Sequence, residues 1–423
     1  MPEPILHIFT SAALNYIPKV RLLFESLRRH MPQARLHLAL SDRLPEDFDL
    51  AREPFDEIHP LESLGIADWR GWAFCHDIVE LSTAIKPFVL QKLLAREDCR
   101  AVLYLDPDMV AFSPLDDLQE ALAEANVLLT PHQITPERSL DAVIDNEICS
   151  LKHGVYNLGF VGVAPTDEGR RFAQWWGERV YHFCRADIPQ GLFTDQRWID
   201  LAPAFFEGVA IVRSPRHNVA TWNISTRTLG GSFEQGFSVD GEPLGFYHFT
   251  GFDSGAHRIM AGKYGAQNPS VTALVRWYED RTRELARDPL SQVPWAYGRF
   301  RSGEKIARVH RRVYRERVDL QQAFPDPFDD SAPSSLLAWW RQQGVLEYPG
   351  LDEQADEARL RAVFTALTPG FRPQLPRPGP LAKIGQAVRE SLADGRHAQR
   401  HARRGWEVLR TAGVRGFVRR LMG

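Results

Sequence analysis

The run VLYLDPDMVAF at residues 102–112 ends an apolar, β-rich stretch with two carboxylates, Asp106 and Asp108, separated only by Pro107. A buried carboxylate is costly unless it is paired or binds a cation. Pro107 fixes its own φ and biases Asp106 towards an extended backbone. Residues i and i+2 of an extended chain share a side, so both carboxylates can face one cation. Mg²⁺ and Mn²⁺ take oxygen ligands and commonly share them with substrate phosphates. Asp-Pro-Asp is also a good turn sequence, and on these three residues alone the two readings weigh equally.

Other stretches supply chemistry of the same kind. His248, in FYHFTGF, offers a neutral imidazole as a third ligand, which favours Mn²⁺ over Ca²⁺; with fourteen histidines in the chain it reads equally as a core residue. Gly251 follows it closely in the same loop. In YNLGF, Asn157 offers an amide for sugar hydroxyls beside Gly159, which permits close backbone approach. In TDQRW, Asp195 and Gln196 offer a carboxylate and an amide for sugar hydroxyls and for a developing oxocarbenium charge; the same stretch also reads as the N-cap of a short helix. The loop after the first strand, TSAALNY, carries Thr10, Asn15 and Tyr16, where Asn15 suits a base edge and Tyr16 a stacked ring. No glycine-rich phosphate loop of either common pattern is present. Phosphate charge then falls to a metal, with Lys86 as a helper or a solvated helix residue.

The elements that must position these residues are legible from periodicity. ILHIF, a helix over IPKVRLLFESLRRHM and the strand ARLHLAL form a strand–helix–strand unit, the building block of a parallel α/β sheet. A helix over 79–96, interrupted at Pro87, precedes the aspartate strand. PLDDLQEALAEA, NVLLT, YNLGFVGVAP and DEGRRFAQWWGERVYHF continue as helix, strand, strand and helix, with a loop-rich region up to about residue 150. Open α/β sheets bind ligands beyond the carboxyl ends of their strands, which is where Asp106 and Asp108 fall.

In this order, TSAALNY, LYLDPDMV, YNLGF, TDQRW and HFTG resemble the motifs of the GT-A glycosyltransferases, and of the retaining family that includes glycogenin and bacterial lipooligosaccharide galactosyltransferases. The resemblance covers roughly residues 1–265 and is that of a divergent bacterial member. It implies an α/β, Rossmann-like nucleotide-diphospho-sugar transferase fold. It also implies Mn²⁺ (or Mg²⁺) on Asp106, Asp108 and His248, a UDP-sugar with its uracil end at Asn15 and Tyr16, and Asn157, Asp195 and Gln196 around the transferred sugar. The implied reaction is transfer, with retention, to a glycan, lipid-linked or protein acceptor, as in cell-surface polysaccharide synthesis. One departure concerns phosphate. The family follows its His-x-x-Gly with a Lys-Pro pair, whereas this chain has Asp253 and Ser254 in that stretch, so His257, Arg258 or Lys263 would have to substitute. Three alternatives stay open: an inverting GT-A enzyme with Asp195 or Asp253 as base, a sugar-nucleotide pyrophosphorylase, and a non-catalytic sugar-binding scaffold.

The 423 residues divide by pattern into a catalytic unit (1–265), a mostly helical, Arg-rich extension (266–367), a proline-rich linker (368–380) and a basic amphipathic segment (381–423). The last carries Arg403, Arg404, Arg419 and Arg420 beside Trp406, Phe417 and Leu421, which suits an anionic membrane surface as well as a packed helix. A net charge of -3 gives no reason to invoke nucleic acid. The four cysteines form no CxxC pair, which argues against a structural zinc site and for a reducing compartment. With no signal peptide and no long apolar run, the expected location is the cytoplasm, peripheral on the inner face of its membrane if the basic segment docks there.

Overall fold

A computed structural model describes residues 4–364. The end of the expected helical extension (365–367), the proline-rich linker and the basic segment 381–423 lie outside the described residues.

Strands β1 (Ile5–Ala12), β2 (Arg35–Leu40), β3 (Glu57–Pro60) and β4 (Cys99–Leu105) are parallel and lie side by side in the order β4-β1-β2-β3. The short β5 (Met109–Ala111) leaves this sheet, and β6 (Val127–Pro131) and β7 (Tyr156–Val163) rejoin it. After the small hairpin β8 (Ala186–Asp187) and β9 (Leu192–Phe193), β10 (Val209–Ile211) completes a seven-stranded order of β10-β6-β7-β4-β1-β2-β3. The chain then forms β11 (Leu229–Ser232), β12 (Gly236–Val239) and β13 (Glu242–Pro243) as a separate antiparallel sheet, and β14 (Phe246–His248) pairs with β5.

The α/β expectation holds, with two corrections. The sheet is mixed, because β7 runs antiparallel to both β4 and β6. After β6 the chain makes no crossover back to the strand starts. It turns through Leu140–Ala142, a π-helical turn over Val143–Glu147 and Ile148–His153, then descends as β7. That stretch is also the second correction, since the region expected to be loop-rich is largely helical. Its apolar residues Leu140, Ile144 and Leu151 are exposed, so they make no core-facing stripe of the kind that identifies a helix from sequence.

Strands β1 and β4 are buried on both faces, which is why they read as continuous apolar runs. On one face, α1 (Ile17–His30) packs Val20, Leu23, Phe24 and Leu27 against Leu36 and Leu38. On the other lie α2 (Trp69–Phe74), α3 (Ile78–Ala84), α4 (Lys86–Leu94) and the helix Asp167–Phe183. The expected break at Pro87 is present: α3 ends at Ala84, and Pro87 occupies the first turn of α4, where no backbone N–H is needed. Residues 297–360 share this second core, with Tyr297, Val313 and Leu337 in the same cluster as Trp72 and Leu81. Arg311, from the helix Arg308–Glu316, donates to the Phe74, His76 and Tyr297 carbonyls at 3.0, 2.7 and 2.7 Å.

Two histidines in this packing set a pH dependence of stability. Burial lowers His76 to about 3 and His310 to about 4. Both are neutral when folded, but gain a proton near pH 6.5 when unfolded. The unfolded state therefore binds more protons below pH 6.5, and stability falls with acidification by up to about 1.4 kcal/mol per pH unit for each histidine. Urea midpoints should drop from pH 7 to pH 5, and the drop should shrink in a His76→Gln/His310→Gln variant. Parallel pH profiles for the two proteins would contradict this assignment.

Candidate active site

Strand order reverses direction at β1: β2 and β3 lie on one side of it, and β4 on the other. The carboxyl ends of β1 and β4 open at this switch point onto a cleft of about 790 Å³. Ser11, Ala12, Asn15 and Tyr16 line it together with Asp106, Asp108, Asn157, Asp195 and His248.

The aspartates meet through a turn. The Met109 N–H donates to the Asp106 carbonyl at 3.0 Å, closing a four-residue turn over Asp106–Met109. The expectation of an extended i, i+2 pair is thus corrected, and the turn reading and the cation reading hold together. β14 then pairs with β5 so that His248 faces Met109, and the Phe249 N–H donates to the Asp108 carbonyl at 2.9 Å. His248 Nε2 comes to 3.0 Å from Asp108 Oδ1 and 3.7 Å from Asp106 Oδ2. The three ligand atoms lie within 4.8 Å of one another, as ligands of one divalent cation must. Burial opposes a proton on His248, but Asp108 and Asp106 outweigh it and hold its pKa above the ordinary value. Asp108 is held low because His248 and Lys19 outweigh its own burial. A pocket that favours positive charge at Nε2 suits a cation in the same place.

Asn157 has an orienting role. Its Oδ1 accepts from His248 Nδ1 at 3.2 Å, which turns Nε2 towards the aspartates. Its Nδ2 lies 3.3 Å from His132 Nε2 and 3.4 Å from Gln196 Oε1. Gln196 is likewise engaged. Its Oε1 accepts from the Leu158 N–H at 2.9 Å and its Nε2 donates to the His153 carbonyl at 3.0 Å, so its amide braces β7 while the side chain lines the cleft. Gly159 is required by close approach: a Cβ there would lie 2.6 Å from His248 Cε1 and 2.8 Å from Asn157 Oδ1. Gly159→Ala should therefore displace the imidazole and weaken Mn²⁺ binding at least about tenfold while the chain stays folded. Calorimetric titration and circular dichroism would check this; unchanged Mn²⁺ affinity would contradict it.

Lys86 is buried at the start of α4. Its Nζ lies 3.3 Å from Asp106 Oδ1, 3.4 Å from Asp195 Oδ2 and 3.3 Å from the Leu158 carbonyl. Burial works against its charge, but Asp106 and Asp195 outweigh it and raise its pKa well above the ordinary value. Asp195 is pushed up to about 6 by burial, against Lys86, with Asp106 adding to the rise. The N-cap alternative for this stretch fails: Asp195 precedes the helix Gln196–Ile199 without a side-chain cap bond. Thr194 before it has φ of 45°, a strained setting for a β-branched residue, held by its N–H to the Arg185 carbonyl at 3.0 Å.

The remaining candidates divide. Asn15 lines the cleft, and its buried Oδ1 has no partner among the described residues. The Tyr16 hydroxyl donates to Asp253 Oδ2 at 3.1 Å, and Lys19 lies 4.3 Å from its ring centre, so one ring face is already covered. Thr10 is fully buried and does not reach the cleft; alternation along β1 sends Ser11 there instead, 3.1 Å from the Tyr104 hydroxyl. Gly251 has φ of +70° in the turn after β14 and lies outside the cleft wall, so its role is to shape that turn. Each of the expected phosphate substitutes has a partner elsewhere in this structure. His257 donates from Nδ1 to the Thr250 carbonyl at 3.1 Å, Arg258 pairs with Glu279 and Lys263 pairs with Asp145.

Sequence reasoning missed three residues here. Tyr104 donates to Asp106 Oδ1 at 2.5 Å. Lys19 pairs with Asp253 at 2.5 Å at the cleft rim. Trp222 lies edge-on to His248 and His132, and its buried indole N–H has no partner among the described residues. Tyr104 was findable, two residues before Asp106 on the same strand face; Lys19 and Trp222 belong to no local pattern.

No family model matches the chain. Protein YfnF of Bacillus subtilis (strain 168) is 30% identical over 181 residues, covering 42% of this chain; the match spans 58% of that relative's own length. Protein YfnD of the same organism is 26% identical over 253 residues, covering 58% of this chain and 78% of the relative. Among solved structures, the galactosyltransferase LgtC in complex with donor and acceptor sugar analogs matches with a TM-score of 0.38 and 17% identity, over 69% of this chain and 98% of that one. The glycosyltransferase GlyE of Streptococcus pneumoniae TIGR4 matches with a TM-score of 0.33 and 18% identity, over 52% of this chain and 48% of that one. Similarities this distant assign no activity.

Proposed function

We propose that the chain is a metal-dependent GT-A glycosyltransferase that moves a sugar from a nucleotide-diphospho-sugar, a UDP-sugar first among candidates, to a glycan, lipid-linked or protein acceptor with retention. The observation that carries this reading is the convergence of Asp106, Asp108, His248, Lys86 and Asp195 in one cleft at the carboxyl ends of β1 and β4. A divalent ion held by Asp106, Asp108 and His248 would supply the positive charge that neutralises a departing diphosphate. Asn157 fixes the imidazole tautomer through Nδ1, and Tyr104 and Lys86 fix Asp106. Asn15 Oδ1 is the free acceptor for the base edge, and Tyr16 offers the ring face that Lys19 leaves open. Lys19 is the cation nearest to replacing the absent Lys-Pro lysine, by releasing Asp253 in favour of a phosphate.

Retention is favoured by how the carboxylates are used. Asp195 pairs with the Lys86 ammonium, which places a negative charge beside a developing cation. Asp77 is committed to capping α3, and Asp253 to Lys19 and Tyr16. Trp222 offers an indole face and an unpaired N–H to a sugar.

The test is a thermal-shift screen of UDP-, GDP- and dTDP-sugars with Mn²⁺, followed by donor hydrolysis and NMR of the product's anomeric coupling. A Mn²⁺-dependent shift with hydrolysis supports the reading. Donor binding without turnover identifies a scaffold, and pyrophosphate release from a nucleoside triphosphate identifies a pyrophosphorylase. A β-linkage from an α-linked donor overturns retention and moves Asp195 to the role of base.

A further inference from the structure

A second cluster of metal-ligating groups lies at the β3 edge of the sheet. His7, His37 and His59 stand on the adjacent strands β1, β2 and β3, all three buried. His7 Nδ1 is 2.9 Å from His37 Nε2, and His37 Nδ1 is 3.2 Å from His59 Nε2. Glu57, two residues before His59 on the same strand, brings Oε2 to 3.7 Å from His37 Nδ1 and 4.0 Å from His59 Nε2. Nothing in the proposed sugar-transfer chemistry uses these residues.

The charge at one end biases the proton positions. His7 Nε2 lies 3.4 Å from Asp98 Oδ1 without a hydrogen bond, and the nearby carboxylate favours the tautomer with the hydrogen on Nε2. His7 Nδ1 is then an acceptor, and His37 Nε2 must donate to it. His37 Nδ1 is left with a lone pair, aimed at the space that His59 Nε2 and Glu57 Oε2 also face. A carboxylate–histidine–histidine chain behind a lone pair is the outer support that orients a metal-binding imidazole.

Distances then select the ion. Three atoms separated by 3.2, 3.7 and 4.0 Å share a centre about 2.1 Å from each, which is the bond length of about 2.0–2.2 Å for zinc on imidazole nitrogen or carboxylate oxygen. Two imidazoles and one carboxylate suit Zn²⁺ and disfavour Mg²⁺ and Ca²⁺. Arg35 and Arg96 also contact Glu57, at 3.1 and 3.3 Å, and neutralise part of its charge; the carboxylate retains lone pairs for an ion. A surface cavity of about 400 Å³ lined by Asp56, Glu57, His59 and Lys92 gives access and room for a water as fourth ligand.

We propose that His37, Glu57 and His59 form a zinc site, distinct from the Asp106–Asp108–His248 cluster, that ties the edge strand β3 to β2. Its ligand is a divalent transition-metal ion with one open position, and its effect is on the stability of that edge.

The experiment uses the full chain, stripped of metal, in an Asp108→Asn background that disables the other cluster. Zn²⁺ should bind at one equivalent and raise the melting temperature, Co²⁺ should give the visible absorption of a tetrahedral site, and Mg²⁺ should do neither. Adding His59→Gln should weaken Zn²⁺ binding at least about a hundredfold and abolish the Co²⁺ band. Should that variant fail to fold, Glu57→Gln, which preserves shape and removes the charge, gives the same reading. Equal Zn²⁺ affinity with and without the substitution overturns the proposal, as does the absence of any Zn²⁺ binding in the Asp108→Asn chain.

Discussion

Asp108→Asn should lower donor hydrolysis and sugar transfer by about a thousandfold while the chain stays folded. Asp108 is the carboxylate nearest His248 Nε2, at 3.0 Å, and its backbone carbonyl receives the Phe249 N–H, so substitution of the side chain leaves the β5–β14 pairing in place. An amide is nearly isosteric but carries no charge, and two of the three protein ligands remain. Mn²⁺ affinity should therefore fall steeply and turnover with it, because the ion's charge matters most as the diphosphate departs. Turnover at saturating donor across a Mn²⁺ series, with calorimetric Mn²⁺ binding measured in parallel, checks both halves. A loss of less than tenfold at saturating Mn²⁺, or undiminished activity of the parent protein in EDTA, would remove this cluster from the mechanism.

Lys86→Met is expected to have the largest effect on stability. The ammonium is the buried cation between Asp106 and Asp195, and its removal leaves two carboxylates without their shared counter-charge on the cleft wall. Breaking such an arrangement costs about 3 kcal/mol. The cost depends on pH in a defined direction. Asp195, already pushed up to about 6, loses its main counter-charge and rises further. A carboxyl whose folded pKa exceeds its unfolded one contributes stability that is fully present below the unfolded value and is lost as pH rises through the folded value. The gap between variant and parent should thus be wide at pH 8 and narrow towards pH 5. Urea denaturation at the two pH values measures it; a gap that widens on acidification would mean that Lys86 does not serve Asp195.

How much of this could be read from sequence depends on how far apart the partners lie in the chain. Asp106 and Asp108 are two residues apart in an apolar run, so their cost and purpose were visible together. His248 was recognisable as a candidate, but its place came from β14 pairing with β5, a contact across more than a hundred residues that no periodicity encodes. Asn157 and Gln196 were found by residue type, yet their amides turned out to be spent on His248 and on the β7 backbone, because a side chain's partners depend on packing rather than on spacing. Thr10 and Ser11 differ only by the alternation of a strand, and the choice between them needs the face of β1 that meets Tyr104. The reversed direction of β7 was hidden for a similar reason: a buried strand reads as the same apolar run in either direction. His7, His37 and His59 sit 30 and 22 residues apart along the chain and form a cluster only across a parallel sheet.

The β5–β14 ladder bears on the order of events during synthesis. β1 to β4 and the aspartate turn belong to the first 109 residues, and the edge strand β10 ends at Ile211. The sheet can therefore close while the chain is still being translated, yet the aspartates wait for His248 for well over a hundred further residues. A ribosome emits roughly 5–20 residues per second, so that interval lasts about 7–30 seconds. During it the nascent chain holds two carboxylates without their third ligand. Assembly of the proposed cation site would in this sense be a late checkpoint, passed only after the residues that frame the cleft have left the ribosome.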